Sequence, residues 1–384
     1  MILPKYEDGS IVNLMSSIGK SFGTKSQYKF LKLLPPERLK DSKNIVLLVI
    51  DGLGFHYLQN KKNSFLKKHV IGKMTSVFPA TTAAAITTFL TGDAPQQHGI
   101  TGWNVYLKEL GMVVKILPFT ARAGEIPIPE KLKIKDLLNE KCFSERINVD
   151  SFIVQPNKIK DSVFTKALAK KAKRIGFNSM NGMFTDIRKA ITSNKRRKYI
   201  YAYWLEFDSL AHDFGVNAKK TDKHFEKIDN EIKKFAEKIK NTNTTLIITS
   251  DHGFIDTPEK RRIELKDHPE LKECLTLPLC GEGRVAYCYV KPSKARQFEK
   301  YVKTRLKDYC YLYKSEDLIK KNYFGIYKPN PELFNRIGDY ALIMKENYIF
   351  KDELLNEKKE HLIGNHAGIT KEEMYVPLIV VNNG

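Results

Sequence analysis

Cysteine is scarce and poorly placed for cross-linking. Cys142, Cys274, Cys280, Cys288 and Cys310 contain no Cys-x-x-Cys pair and are odd in number. That excludes a disulfide framework and a thiolate zinc site as organising principles, and a reducing, cytoplasmic compartment is the expectation. No apolar run exceeds strand length, so no transmembrane helix is expected. The first residues, MILPKYEDGSIVNLMSS, carry an acidic pair and no apolar stretch, so no signal peptide is expected either. Internal repeats and low-complexity tracts are also missing.

What is abundant points to a folded, basic protein. Hydrophobic residues make up 42% and aromatics 11% of 384 residues, which excludes a disordered chain. The length suits two average domains or one large α/β domain with an insert. Lys and Arg number 65 against 44 Asp and Glu, a net charge of +21. Such a surface attracts phosphate esters or nucleic acid, although scattered lysine also reads as plain solvation. Nucleic acid is not expected as a stable partner, because no basic-aromatic module, zinc-finger spacing or helix-turn-helix pattern is present. The basic clusters at Lys170–Arg174 and Lys195–Lys198 are short.

Four buried-type runs predict strands: Asn44–Ile50, Tyr199–Glu206, Thr245–Ser250 and Val376–Val381. Phe225, Ile228, Ile232, Phe235 and Ile239 recur at helical spacing and predict an amphipathic helix between the second and third. Strands alternating with such helices imply an α/β fold with a doubly wound, mostly parallel sheet and helices on both faces. Two stretches break the pattern. Pro118, Pro127 and Pro129 mark a loop excursion over Lys115–Ile134. Residues 283–350 read as a small inserted α+β lobe, with strands at Val285–Val290, Tyr309–Tyr313 and Tyr340–Lys345 and a helix opening near Ser293. The whole of residues 1–384 is expected to form one domain around that insert.

Ligands of open α/β sheets bind beyond the carboxyl ends of the strands. There the sequence sets Asp51 after the first run, Asp208 and His212 after the second, and Asp251 and His252 after the third. His366 lies in the glycine-flanked turn Gly364–Gly368, ahead of the last run. Six Asp and His side chains at one edge can hold two divalent ions, whose charge offsets the cost of burying three aspartates. Asp208 and His212, four apart, also read as a helix-surface pair. The segment Ser76–Thr88 passes from a proline turn into an alanine-rich helix. Thr82 in its first turn meets free N–H groups and the positive dipole end, which makes its hydroxyl a candidate nucleophile; an ordinary threonine cap is the alternative. Thr81 beside it makes the choice depend on spacing from Pro79, and Thr82 is preferred.

The ordered motifs VIDGLG, SVFPATTAAAITTFLTGDAPQQHGITGWN, EFDSLAHDFG, SDHGF and GNHAG resemble the alkaline phosphatase superfamily, specifically its nucleotide pyrophosphatase/phosphodiesterase type. The resemblance implies two zinc ions, with manganese or iron as alternatives. It implies that Asp51, Asp251 and His252 hold one metal, which Thr82 also touches, and that Asp208, His212 and His366 hold the other. Asn104 of TGWN matches the family's asparagine that donates to a phosphoryl oxygen. The implied activity is hydrolysis of a small phosphodiester or pyrophosphate, of nucleotide type, through a phosphothreonine. Phosphomonoesters or phosphonates at the same site are the alternative. A Cys/Ser-x-Pro-x-Arg sulfatase segment, the Asp-Ser-Ala and arginine clamp of alkaline phosphatases, and the serine of cofactor-independent phosphoglycerate mutases are all missing. Ala83-Ala84-Ala85 departs from the commoner Phe-Pro-Asn after the nucleophile, which leaves the substrate open. Candidate substrate contacts are Trp103 and Arg284, with Arg122, Phe55, Tyr57 and Tyr106 as further possibilities.

Overall fold

The computed structural model describes residues 1–129, 137, 141–357 and 361–383. The four expected strands all form, and three more join them in one seven-stranded sheet. Its spatial order is Val70–Thr75, Tyr375–Asn383, Thr244–Thr249, Asn44–Ile50, Lys198–Trp204, Asp150–Pro156 and Lys173–Phe177. The five strands from Thr244–Thr249 to Lys173–Phe177 are parallel. Tyr375–Asn383 runs antiparallel to both of its neighbours. This is the mostly parallel α/β sheet expected from the sequence.

The central strand Asn44–Ile50 is buried along its whole length, which explains its unbroken run of branched aliphatics. Its side chains divide by parity. Ile45, Leu47 and Val49 pack with Leu14, Ile18, Ala84 and Phe89 on one face. Val46, Leu48 and Ile50 pack with Phe184, Ile187, Phe225, Ile228 and Ile232 on the other. The expected amphipathic helix spans Lys219–Lys238 and buries Phe225, Ile228, Ile232 and Phe235, with lysine and glutamate outward. All five cysteines are buried and unpaired. Among the described residues, no helix is long and apolar enough to cross a membrane.

A second, antiparallel sheet stands at the loop edge. Its order is Cys310–Lys314, Tyr340–Met344, Val285–Cys288, Cys280–Gly281, Asn104–Leu107, Met112–Lys115 and Thr120–Ala121. The strands expected within residues 283–350 are present, and helix Ala295–Arg305 follows the predicted opening. They do not make a sheet alone, however. Gly281 pairs with Asn104, so residues 104–121 continue the same sheet. The start of the stretch read as a loop excursion accordingly belongs to a short hairpin, Met112–Lys115 against Thr120–Ala121. Strands of two to four residues are too short to show alternation, and the pairing that joins this hairpin to the rest of the sheet, Gly281 with Asn104, is distant in sequence. Residues 130–134 of that excursion lie outside the described residues.

Truncating Ile232, which is fully buried, to alanine should cost about 2–5 kcal/mol of stability. Urea unfolding measures this, and turnover of the folded fraction should be unchanged because Ile232 packs in the core and not in the wall of the loop-edge cavity.

Candidate functional site

The three ligand-bearing parallel strands are neighbours in the sheet, with Asn44–Ile50 between Thr244–Thr249 and Lys198–Trp204. Their carboxyl ends therefore release Asp51, Asp208 and Asp251 side by side. Asp208 and His212 occupy successive turns of helix Glu206–Phe214, which starts directly after its strand. Because Tyr375–Asn383 is antiparallel, the loop preceding it reaches the same edge and delivers His366. Gly52 is required at this crossing: its φ is +75°, and a Cβ there would lie 2.4 Å from the Phe254 ring.

The side chains form one continuous cluster around His252. Its Nε2 lies 3.4 Å from Asp51 Oδ1, 3.4 Å from Asp251 Oδ2 and 3.9 Å from Asp208 Oδ1. The Thr82 hydroxyl is 3.1 Å from the same nitrogen. The His252 and His366 rings stack with centroids 3.7 Å apart, and His212 Nε2 stands 3.4 Å from Asp208 Oδ1. Donor atoms of Asp51, Asp251 and His252 lie within 4.8 Å of one another, and so do those of Asp208, His252 and His366. His252 thus bridges the two groups, while His212 approaches through Asp208.

The donor set fits divalent cations. Asp51 Oδ1, Asp208 Oδ1 and Asp251 Oδ2 are buried without a hydrogen-bond partner, an expensive arrangement unless a cation is bound. Nδ1 of each histidine faces a backbone carbonyl: Gly364 at 2.8 Å for His212, Gly253 at 3.0 Å for His252 and Ala80 at 3.3 Å for His366. A carbonyl only accepts, so Nδ1 carries the proton and Nε2 is left as the donor atom, the tautomer a metal ligand needs. Burial pushes the His252 imidazolium down to about 3 and His366 well below its ordinary value, so both rings are neutral. Burial first, then the neighbouring carboxylates Asp208 and Asp251, raises the Asp51 carboxyl; burial likewise raises Asp208 to about 6. Tyr203, on the strand next to Asp51, donates its hydroxyl to Asp51 Oδ2. Nothing in the sequence distinguishes it from a packing tyrosine.

Thr82 is the first residue of helix Thr82–Thr91, whose N-cap is Thr81. It opens onto a cavity of about 630 Å³ that also has Trp103, Asn104, Asp208, His212 and His366 in its walls, a volume suited to a small organic ligand. Asn104 Oδ1 is buried and unpartnered. Glu282, which the sequence reading missed, lines the cavity too. Burial raises its carboxyl to about 7.

The arginines differ from expectation. Arg284 is not in the cavity wall. Its guanidinium is wholly buried, pairs with Glu373 at 2.9 and 3.0 Å, and donates to the carbonyls of Lys345, Glu346 and Tyr348. A buried arginine needs all its donors met, which leaves none for a substrate. Arg122 reaches the wall but is engaged by Glu357 and the carbonyls of Leu279 and Asp352. Tyr57 packs against Phe207 and Phe225, Tyr106 against Tyr289, and Phe55 lies under Lys73.

A family model described as type I phosphodiesterase / nucleotide pyrophosphatase matches residues 45–369. Among solved structures, murine ectonucleotide pyrophosphatase / phosphodiesterase 5 superposes with a TM-score of 0.68 at 19% identity, over 87% of each chain. An inactive threonine-to-alanine variant of that murine protein, in complex with AMP, gives 0.67 at 19% identity, again over 87% of each chain. Phosphonoacetate hydrolase from Sinorhizobium meliloti 1021, in complex with phosphonoformate, gives 0.62 at 17% identity, over 88% of this chain and 90% of that one. At such identities the likeness establishes the fold. No curated protein matches by sequence.

Replacing Asp251 or His366 by alanine should lower the divalent metal bound per chain, measured by elemental analysis after dialysis against a weak chelator. Unchanged metal content would remove the residue from the ligand set. Breaking the buried pair with Glu373→Gln should instead cost about 3–5 kcal/mol of stability, read by urea unfolding.

Proposed function

The chain belongs to the type I phosphodiesterase / nucleotide pyrophosphatase family, and on that premise we propose that it hydrolyses a phosphodiester or pyrophosphate bond of a small, nucleotide-type substrate, with Thr82 as nucleophile. The observation that carries this reading is the Thr82 hydroxyl, 3.1 Å from His252 Nε2 at the start of a buried helix and beside three orphaned carboxylate oxygens. Asp51, Asp251 and His252, with Thr82, are assigned to one divalent ion, and Asp208, His212 and His366 to a second. Zinc suits the mixed Asp and His donors, with manganese or iron as alternatives. Two bound cations would outweigh the three aspartate charges, lower the hydroxyl pKa and favour an anionic substrate.

The residues themselves supply position. The Thr82 oxygen attacks phosphorus in line, a P–O bond to threonine forms, and the bond to the leaving group breaks. Water then cleaves the phosphothreonine and frees the phosphate product. Asn104 in the cavity wall offers its side-chain N–H₂ to a phosphoryl oxygen, and the N-terminal amides of helix Thr82–Thr91 favour the same charge. Trp103, half-buried beside Asn104, offers an apolar face to the substrate. The murine neighbour whose threonine-to-alanine form is inactive and binds AMP supports both a threonine nucleophile and a nucleotide-type ligand. The phosphonoacetate hydrolase bound to phosphonoformate supports a second reading, cleavage of phosphonates or monoesters at this site. A cytoplasmic setting belongs to the proposal as well, on the odd, scattered cysteines.

Thr82→Ala should reduce kcat at least about a thousandfold with metal content unchanged; near-normal turnover would remove Thr82 as nucleophile. Assaying the metal-loaded protein on a nitrophenyl phosphodiester, the matching monoester and phosphonoacetate separates the two readings: the proposal expects the highest kcat/KM for the diester.

A further inference from the structure

Glu282 is the first of the three residues that connect strands Cys280–Gly281 and Val285–Cys288, and with Val285 it closes the tight turn at Gly283 and Arg284. The Glu282 N–H donates to the Val285 carbonyl at 2.8 Å, and the Val285 N–H returns to the Glu282 carbonyl at 3.2 Å. This turn is held firmly from behind. Arg284 is clamped by Glu373, the Phe350 N–H donates to Gly283 O at 2.7 Å, and the Met344 N–H donates to Arg284 O at 2.9 Å. In front, its backbone presses on the segment before Asn104: a Cβ added to Gly102 would lie 2.8 Å from Gly281 Cα. The contact carries the Glu282 carboxylate to the mouth of the nucleophile helix. There a single oxygen, Oε1, accepts both the Thr81 hydroxyl at 2.5 Å and the Trp103 N–H at 2.8 Å.

Thr81 is the N-cap of helix Thr82–Thr91, yet its side chain makes no capping hydrogen bond. A threonine there ordinarily accepts the N–H of the second or third helical residue. Glu282 draws the hydroxyl away, so the first-turn amides are free of a side-chain cap where Thr82 meets the cavity. We propose that Glu282 is a positioning residue for the reaction at Thr82: it keeps the Thr81 hydroxyl off the helix end, so that those amides receive a phosphoryl oxygen, and it ties the Trp103–Asn104 segment to the same point. This rests on the assignment of Thr82 as nucleophile.

The test uses the full-length, metal-loaded chain, with kcat and KM measured on a nitrophenyl phosphodiester and inhibition measured with inorganic phosphate. In Glu282→Ala the released Thr81 hydroxyl falls back onto the first-turn amides, so kcat should drop about 10- to 100-fold and phosphate should inhibit more weakly, with metal content unchanged. Glu282→Gln keeps an acceptor oxygen and should retain most of the activity. The distinguishing variant is Thr81→Ala combined with Glu282→Ala. With the competing hydroxyl gone, the double variant should recover at least about fivefold over Glu282→Ala alone, a non-additivity that a merely structural loss does not produce. Should Glu282→Ala fail to fold, Glu282→Met fills the same space without an acceptor and is judged by the same criteria. The proposal is overturned if the Ala and Met variants both run within about twofold of wild type, or if the double variant is no faster than Glu282→Ala. An inactive Thr82→Ala alongside either result confines the failure to Glu282, whereas an active Thr82→Ala overturns the nucleophile assignment beneath it.

Discussion

The site depends on the burial of like-charged groups at one sheet edge. Asp51, Asp208 and Asp251 converge on His252 with three carboxylate oxygens unpartnered. Among the described residues, these carboxylates form ion pairs with imidazoles and with no lysine or arginine. In a chain with a net charge of +21, that is a local inversion of the overall balance. Folding alone gains nothing from such a cluster, so its rationale lies in what it binds.

The sheet topology makes the convergence possible. Parallel strands all end at the same edge, which is why three separate loops can meet there. The fourth contribution needs the opposite polarity. His366 precedes its strand, and it reaches the cluster because Tyr375–Asn383 runs antiparallel beside Thr244–Thr249. One reversal of direction at the side of an otherwise parallel sheet thus completes the histidine set.

The second sheet has a related role. By joining residues 104–121 to residues 280–344 it brings Trp103 and Asn104 into the wall of the cavity that Asp208, His212 and His366 also line. The Arg284–Glu373 pair links that sheet to the loop carrying His366, since Glu373 Oε1 also accepts the Gly368 N–H at 2.7 Å. Two halves of the cavity are in this way registered by one buried ion pair. Its value is geometric, because a buried pair is a weak source of stability.

Much of this was legible in the chain. The strand runs, the helix through Phe225 and Ile232, and the Asp and His residues at strand ends follow from hydrophobic periodicity and from where parallel strands stop. Those are local properties, carried by consecutive residues. Other features had no local signal. Glu282 and Tyr203 look like ordinary turn and strand residues, and Arg284 reads as available for a substrate although Glu373, 89 positions away, occupies it. Whether a side chain is free or engaged depends on partners distant in sequence. The residue types fitted to bind cations and phosphate were set by the sequence alone; which of them face one another, and which are consumed in holding the fold, was decided by long-range packing.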